Sequence, residues 1–134
     1  MKSKFLETAE VFRYFEEICS IPHGSGNMDA IADYCLRFAQ ENGLRALIDG
    51  AKNVLSYKSG TAGYENAEPI ILQGHLDIVC QKREDIAFDF EKDGIKTYKD
   101  GDFIKAEGTT LGADNGIAVA MIMAVLASRN IPHP

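Results

Sequence analysis

Pro69-Ile70-Ile71-Leu72-Gln73-Gly74-His75-Leu76-Asp77 is the stretch on which the fold turns. Ile70 to Leu72 is apolar on both faces of an extended backbone, the pattern of a strand at the buried centre of an α/β sheet. Gly74-His75-Leu76-Asp77 stands at its carboxyl end, where open α/β sheets usually take their ligands. Residues i and i+2 of an extended chain project to one face, so His75 and Asp77 emerge together. A carboxylate holding one ring nitrogen of an imidazole fixes its tautomer and makes the other nitrogen a better metal ligand. The same two residues also read as a plain His–Asp hydrogen bond at a strand end.

Outward from this strand the elements alternate. Phe5 to Ser20 has helical periodicity, with Val11, Phe12, Phe15, Ile18 and Cys19 on one stripe, and Pro22 and Gly24-Ser25-Gly26 stop it. A second helix fits Met28 to Asn42, where Ile31, Tyr34, Cys35, Phe38 and Ala39 recur, and Gly43 supplies its C-terminal turn. Strands are predicted at Leu44–Ile48 and Asn53–Tyr57, followed by a turn-rich stretch over Lys58–Pro69. Asp93-Gly94 and Asp100-Gly101 bracket Ile95–Lys99, and Asp-Gly between alternating residues is a hairpin signal. Gly108 to Gly112 reads as a loop before a helix from about Asn115 to Arg129. The order implies an α/β layer structure, a mixed β-sheet flanked by helices. An apolar helix needs cover on every side, and the elements before this one fall short of supplying it, so the chain reads as part of something longer.

Composition narrows the function classes. The chain has 134 residues, 46% hydrophobic and 25% charged, with 14 Lys plus Arg against 20 Asp plus Glu and a formal net charge of −6. Such a chain is long enough to bury a real core. An acidic total without a basic run excludes nucleic acid and an anionic membrane surface as expected partners. The apolar run Gly116–Ala127 is shorter than the roughly 17–25 residues that cross a bilayer, and no signal peptide is legible at the N-terminus. Cys19, Cys35 and Cys80 form no CxxC pattern and read as reduced thiols of a cytoplasmic protein, with a metal-ligating Cys80 as the lesser reading.

A second candidate site is Gly108-Thr109-Thr110-Leu111-Gly112-Ala113-Asp114-Asn115-Gly116. Asp114 reads either as the N-cap of the following helix or as a carboxylate whose two oxygens could bridge two cations. Other candidates are weaker. Asp89 to Asp100 has the spacing of a calcium loop, but strand-like alternation flanks it where helices are required. Gly24 and Gly26 lack the third glycine of a dinucleotide fingerprint, and there is no GK[ST] or GxSxG. His23 and His133, each beside a proline, are expected to be solvated loop residues.

Three strings, ICSIPHGSGN (Ile18–Asn27), PIILQGHLDIVCQK (Pro69–Lys82) and KAEGTTLGADNGIAVA (Lys105–Ala120), together resemble the aminoacyl-histidine (Xaa-His) dipeptidases, members of the di-zinc aminopeptidase- and carboxypeptidase-like hydrolases. The resemblance runs over nearly all of the chain in the right order. It implies a zinc-peptidase-like α/β/α catalytic domain of which residues 1–134 are the N-terminal part. It implies that His75 ligates one zinc ion, that Asp114 bridges two, and that the Asp114–Asn115 peptide bond is cis. Asp77 takes a catalytic part by orienting and polarising His75. Manganese or cobalt would suit the same ligands. The implied reaction is dipeptide hydrolysis by zinc-activated water with a glutamate as general base.

In the family, that glutamate, its neighbouring ligand glutamate, the later aspartate and histidine ligands and an inserted dimerisation domain would all lie beyond Pro134. A catalytic zinc usually has three protein ligands, and this chain offers each ion at most two. The resemblance therefore implies a piece of a cytoplasmic enzyme, inactive by itself, acting on small peptides and able to form a homodimer at full length. Two other functions stay open: a di-zinc hydrolase of tripeptides or N-acyl amino acids, and a non-catalytic metal-binding or interaction module.

Overall fold

A computed structural model describes residues 6–134, and in it the two N-terminal helices fold as their stripes require. Helix α1 (Leu6–Cys19) buries Tyr14, Phe15, Ile18 and Cys19. Phe12, expected on the stripe, is largely exposed, because the buried face is centred on Tyr14 and Phe15. Phe5, the expected first residue, lies outside the described residues. Helix α2 (Asp29–Glu41) buries Ile31, Ala32, Phe38 and Ala39. Gly43, left-handed at φ +70°, returns its amide to Gln40 and closes the helix. Tyr14 and Phe38 meet edge to face at 5.3 Å and join the two helices.

Strands β1 (Arg45–Ile48) and β2 (Val54–Tyr57) form an antiparallel hairpin against α2, with Arg45 opposite Tyr57 and Ile48 opposite Val54. Asp49 shapes the turn by accepting the amides of Ala51 and Asn53 on one carboxylate oxygen. Strands β3 (Thr97–Asp100) and β4 (Phe103–Ala106) form a second antiparallel hairpin. Gly101, at φ +59°, opens its two-residue connection, as the Asp-Gly signal predicts. Asp93-Gly94 behaves otherwise. Its loop folds back through Asp93 N–H to Asp89 C=O at 2.7 Å, and a Cβ on Gly94 would lie 2.5 Å from the Ser20 carbonyl oxygen. This glycine lets the chain cross the end of α1, where Ile95 N–H reaches Cys19 C=O at 2.7 Å, and it turns no hairpin.

The α/β class holds, but the expected mixed sheet is present only as two isolated bridges among the described residues. Among the described residues the named strands form two separate two-stranded sheets. Between the helices, Ile78 pairs in parallel with Gly24, and Lys82 pairs antiparallel with Thr109. Amides of residues 78 and 79 point to opposite edges, so the stretch 78–82 has one parallel and one antiparallel neighbour. Ile70–Leu72, expected at the buried centre, is exposed, with Ile71 at 88%. No described residue hydrogen-bonds its backbone, so no neighbouring strand flanks it, and Leu72 is covered only by half.

Helix α3 (Ala113–Ala127) packs on α1 and buries Gly116, Val119, Ala120 and Met123. One face is covered, and Met121 on the other is exposed. At its far end Lys58 donates to the carbonyls of Val125 (3.1 Å) and Ser128. His133, expected in solvent, is half-buried and fastened to the chain after β2, with Nε2 at 2.9 Å from the Ser59 carbonyl and its amide at 2.9 Å from Thr61 Oγ1.

Candidate active site

Ile78 is the pin of the site. It is buried, its amide donates to His23 C=O (3.0 Å), and its carbonyl accepts from Ser25 N–H (3.3 Å). The backbone just ahead of it carries His75 and Asp77. Gly112, left-handed at φ +76°, lies against the other side of Ile78: a Cβ there would be 2.6 Å from Ile78 Cγ2. Gly74 likewise lies on Asn115, Ala118 and Val119 at the start of α3. With residue 74 on residue 115, His75 falls beside Asp114.

His75 Nδ1 lies 2.9 Å from the Asp77 carbonyl oxygen and 3.2 Å from Asp77 Oδ1. A carbonyl only accepts, so Nδ1 carries a hydrogen. Nε2 lies 3.1 Å from Asp114 Oδ1. In a neutral ring with its hydrogen on Nδ1, Nε2 is an acceptor, and it faces a second acceptor. A proton on Nε2, or a cation shared by both groups, satisfies the pair. The hydrogen bond to Asp114 accordingly raises the pKa of His75 above the ordinary histidine value. Asp77 is held below the ordinary carboxylate range, chiefly by the Ser25 hydroxyl, which donates to its Oδ2 at 2.5 Å.

Asp114 is not a helix cap. Gly112 occupies the N-cap without any side-chain bond, and Asp114 and Asn115 have non-helical backbones. The Asp114–Asn115 peptide bond is cis, as the resemblance implies. The Asp114 side chain is 96% exposed. It stands in the open rather than against a sheet, with its second oxygen unpartnered among the described residues. An imidazole nitrogen facing a carboxylate, with a second carboxylate behind the ring, suits a zinc ion or its borderline neighbours. It is a donor set of two: no group of three His, Cys, Asp or Glu side chains able to hold a metal ion occurs among the described residues. Cys80 stays out of it, its thiol turned to the Ile78 carbonyl at 3.7 Å.

Sequence reasoning missed two neighbours. Ser25 holds Asp77 from the loop after α1. His23, expected in solvent, is 2% exposed, with Nδ1 donating to Ile21 C=O at 2.5 Å, and burial lowers its pKa. The only trace of either role in the sequence is the glycine pair flanking Ser25.

The chain is similar in sequence and in structure to dipeptidases. It is 50% identical over 119 residues to the cytosol non-specific dipeptidase of Escherichia coli (strain K12), a match covering 89% of this chain and 24% of that protein. It superimposes on the crystal structure of aminoacylhistidine dipeptidase from Vibrio alginolyticus with a TM-score of 0.90 at 46% identity, covering 93% of this chain and 26% of that one. The chain thus spans about a quarter of the length of each relative. No family model matches it.

Proposed function

We propose that residues 1–134 are the N-terminal part of the catalytic domain of a longer, cytoplasmic, metal-dependent dipeptidase. Its substrates would be small dipeptides, those with C-terminal histidine included. The approach of His75 Nε2 to Asp114 Oδ1 carries this reading: two segments 39 residues apart aim two metal-ligand atoms at one point, 3.1 Å apart, in a chain half identical to a dipeptidase over most of its length.

Each residue then has a task. Asp77 keeps the Nδ1 hydrogen on His75 and steadies the ring, leaving Nε2 free to ligate. Asp114, with one oxygen toward His75 and the other open, would be able to hold a metal ion on either oxygen. The left-handed Gly112, against Ile78, and the close-packed Gly74, against Asn115, let the two segments approach closely enough for the side chains to meet. Zinc, when bound, would supply Lewis acidity and a nucleophile at neutral pH, and manganese or cobalt fits the same donors. Two protein donors leave a catalytic ion short of its usual three, so the isolated 134 residues are read as inactive, with the remaining ligands and the general base supplied by the longer chain. That chain would also carry any dimer contact.

The test uses the natural chain containing these residues, assayed on an Xaa-His dipeptide panel with zinc, with a chelator, and as Asp114→Asn. Loss of activity with the chelator, and a fall of at least about 100-fold on substitution, is expected for a metal ligand. Chelator-sensitive activity that survives Asp114→Asn would remove Asp114 from the metal. Failure to hydrolyse any dipeptide would shift the reading to N-acyl amino acids or tripeptides, or to a non-catalytic module.

A further inference from the structure

We propose that Ser25 is a positioning residue of this site: its hydroxyl holds one oxygen of the Asp77 carboxylate so that the other stays against His75. In its effect on metal, the proposal rests on the functional reading above.

The local fold delivers the hydroxyl. Asn27 N–H closes a turn onto Gly24 C=O at 2.8 Å, and Gly26, at φ +85°, takes the corner that demands a positive φ, which leaves Ser25 at the first corner. Gly24 runs beside Ile78 in parallel, where a Cβ would lie 2.5 Å from Cys80 Sγ. Because Ser25 N–H is bonded to Ile78 C=O, its side chain meets the residue just before Ile78, which is Asp77. The contact, O–H to carboxylate at 2.5 Å, belongs to the strong charge-assisted class. Asp77 is thereby held from two sides, Oδ2 by Ser25 and Oδ1 by His75 at 3.2 Å. Its carboxylate is about two-fifths exposed, so without Ser25 it would be free to turn to water.

Metal-free crystal structures of the natural chain, wild type and Ser25→Ala, read the geometry without reference to catalysis. The Asp77 carboxylate is expected to leave His75 Nδ1 in Ser25→Ala and to stay in Ser25→Thr, which keeps a hydroxyl. Zinc affinity, measured by competition with a chromophoric chelator, is expected to fall by up to about 10-fold in Ser25→Ala, the lower end of the usual effect of such supporting contacts. It should be restored in Ser25→Thr and fall no further in Ser25→Ala/Asp77→Ala than in Asp77→Ala alone. On a dipeptide, kcat should drop with KM unchanged. A carboxylate that stays in place in Ser25→Ala, or a Ser25→Ala effect that adds to that of Asp77→Ala while lowering the thermal midpoint, would overturn the proposal and leave the functional reading standing. A wild-type chain that takes up no zinc and cleaves no dipeptide would remove the functional reading, and the crystal structures would still decide the role of Ser25.

Discussion

His75 and His23 are opposite uses of one side chain. His75 is half exposed and answers two carboxylates, so it is drawn toward its charged form. His23 is enclosed and drawn toward neutrality, burial outweighing the opposite pull of the Ile21 carbonyl and, after it, of Asp77. A histidine whose folded pKa lies below its unfolded value binds fewer protons folded than unfolded. Its contribution is therefore fully present above the unfolded pKa and is lost as pH falls from there through the folded pKa. Chemical denaturation of the chain between about pH 4.5 and 8 should show stability falling on the acid side of the ordinary histidine value, and His23→Leu should flatten that limb. An acid limb unchanged by the substitution would assign the loss to other groups. His75, Asp77 and Asp114 stood out as candidates by spacing and glycine neighbours. That pattern fitted a plain hydrogen bond and a helix cap as well, and only the resemblance of the three strings implied metal-site roles. Ser25 and His23 did not stand out, since their positions follow from the Gly24–Ile78 pairing, which joins segments more than fifty residues apart without a pattern in either.

At the level of elements, periodicity was a good guide wherever one face of a segment is covered by the chain itself. Both N-terminal helices, the β1–β2 hairpin and the Asp100-Gly101 turn formed where the pattern puts them. It misled at Asp93-Gly94, a glycine demanded by a close crossing rather than by a turn, and at Ile70–Leu72, whose burial needs neighbours on both sides. Helix α3 lies between these cases. Its seat on α1 is tight at Gly116, where a Cβ would come within 3.2 Å of the Phe15 ring. Gly116→Val forces a branched side chain into that gap and should destabilise the chain by about 1–3 kcal/mol, as overpacking does. Urea denaturation measures it. A smaller loss in Gly116→Val/Phe15→Leu would confirm that the ring is the obstacle, and an unchanged loss would place the strain elsewhere.

Across the whole molecule, surface tells what no single element does. The chain exposes 9303 Å², whereas a compact folded monomer of its 14.7 kDa would expose about 6,900 Å². Part of the excess lies on Ile70, Ile71 and Leu72, an apolar stretch whose backbone donors and acceptors have no partner among the described residues. Segments of that kind pair with one another. Gel filtration of the 134-residue chain should show concentration-dependent self-association that Ile71→Lys reduces, and a chain that stays monomeric at high concentration would show that the stretch is protected in solution. The bridge from Gly24 to Ile78 has another consequence, since it ties the first helical part of the chain to the part bearing His75 and Asp114, with α1 on α3 as a second tie. The exposed turn at Gly63–Glu68 is bonded mainly within itself. Severed there, the polypeptide becomes two separately made pieces, one holding Ser25 and the other the three ionisable residues, and only their reunion in trans rebuilds the site.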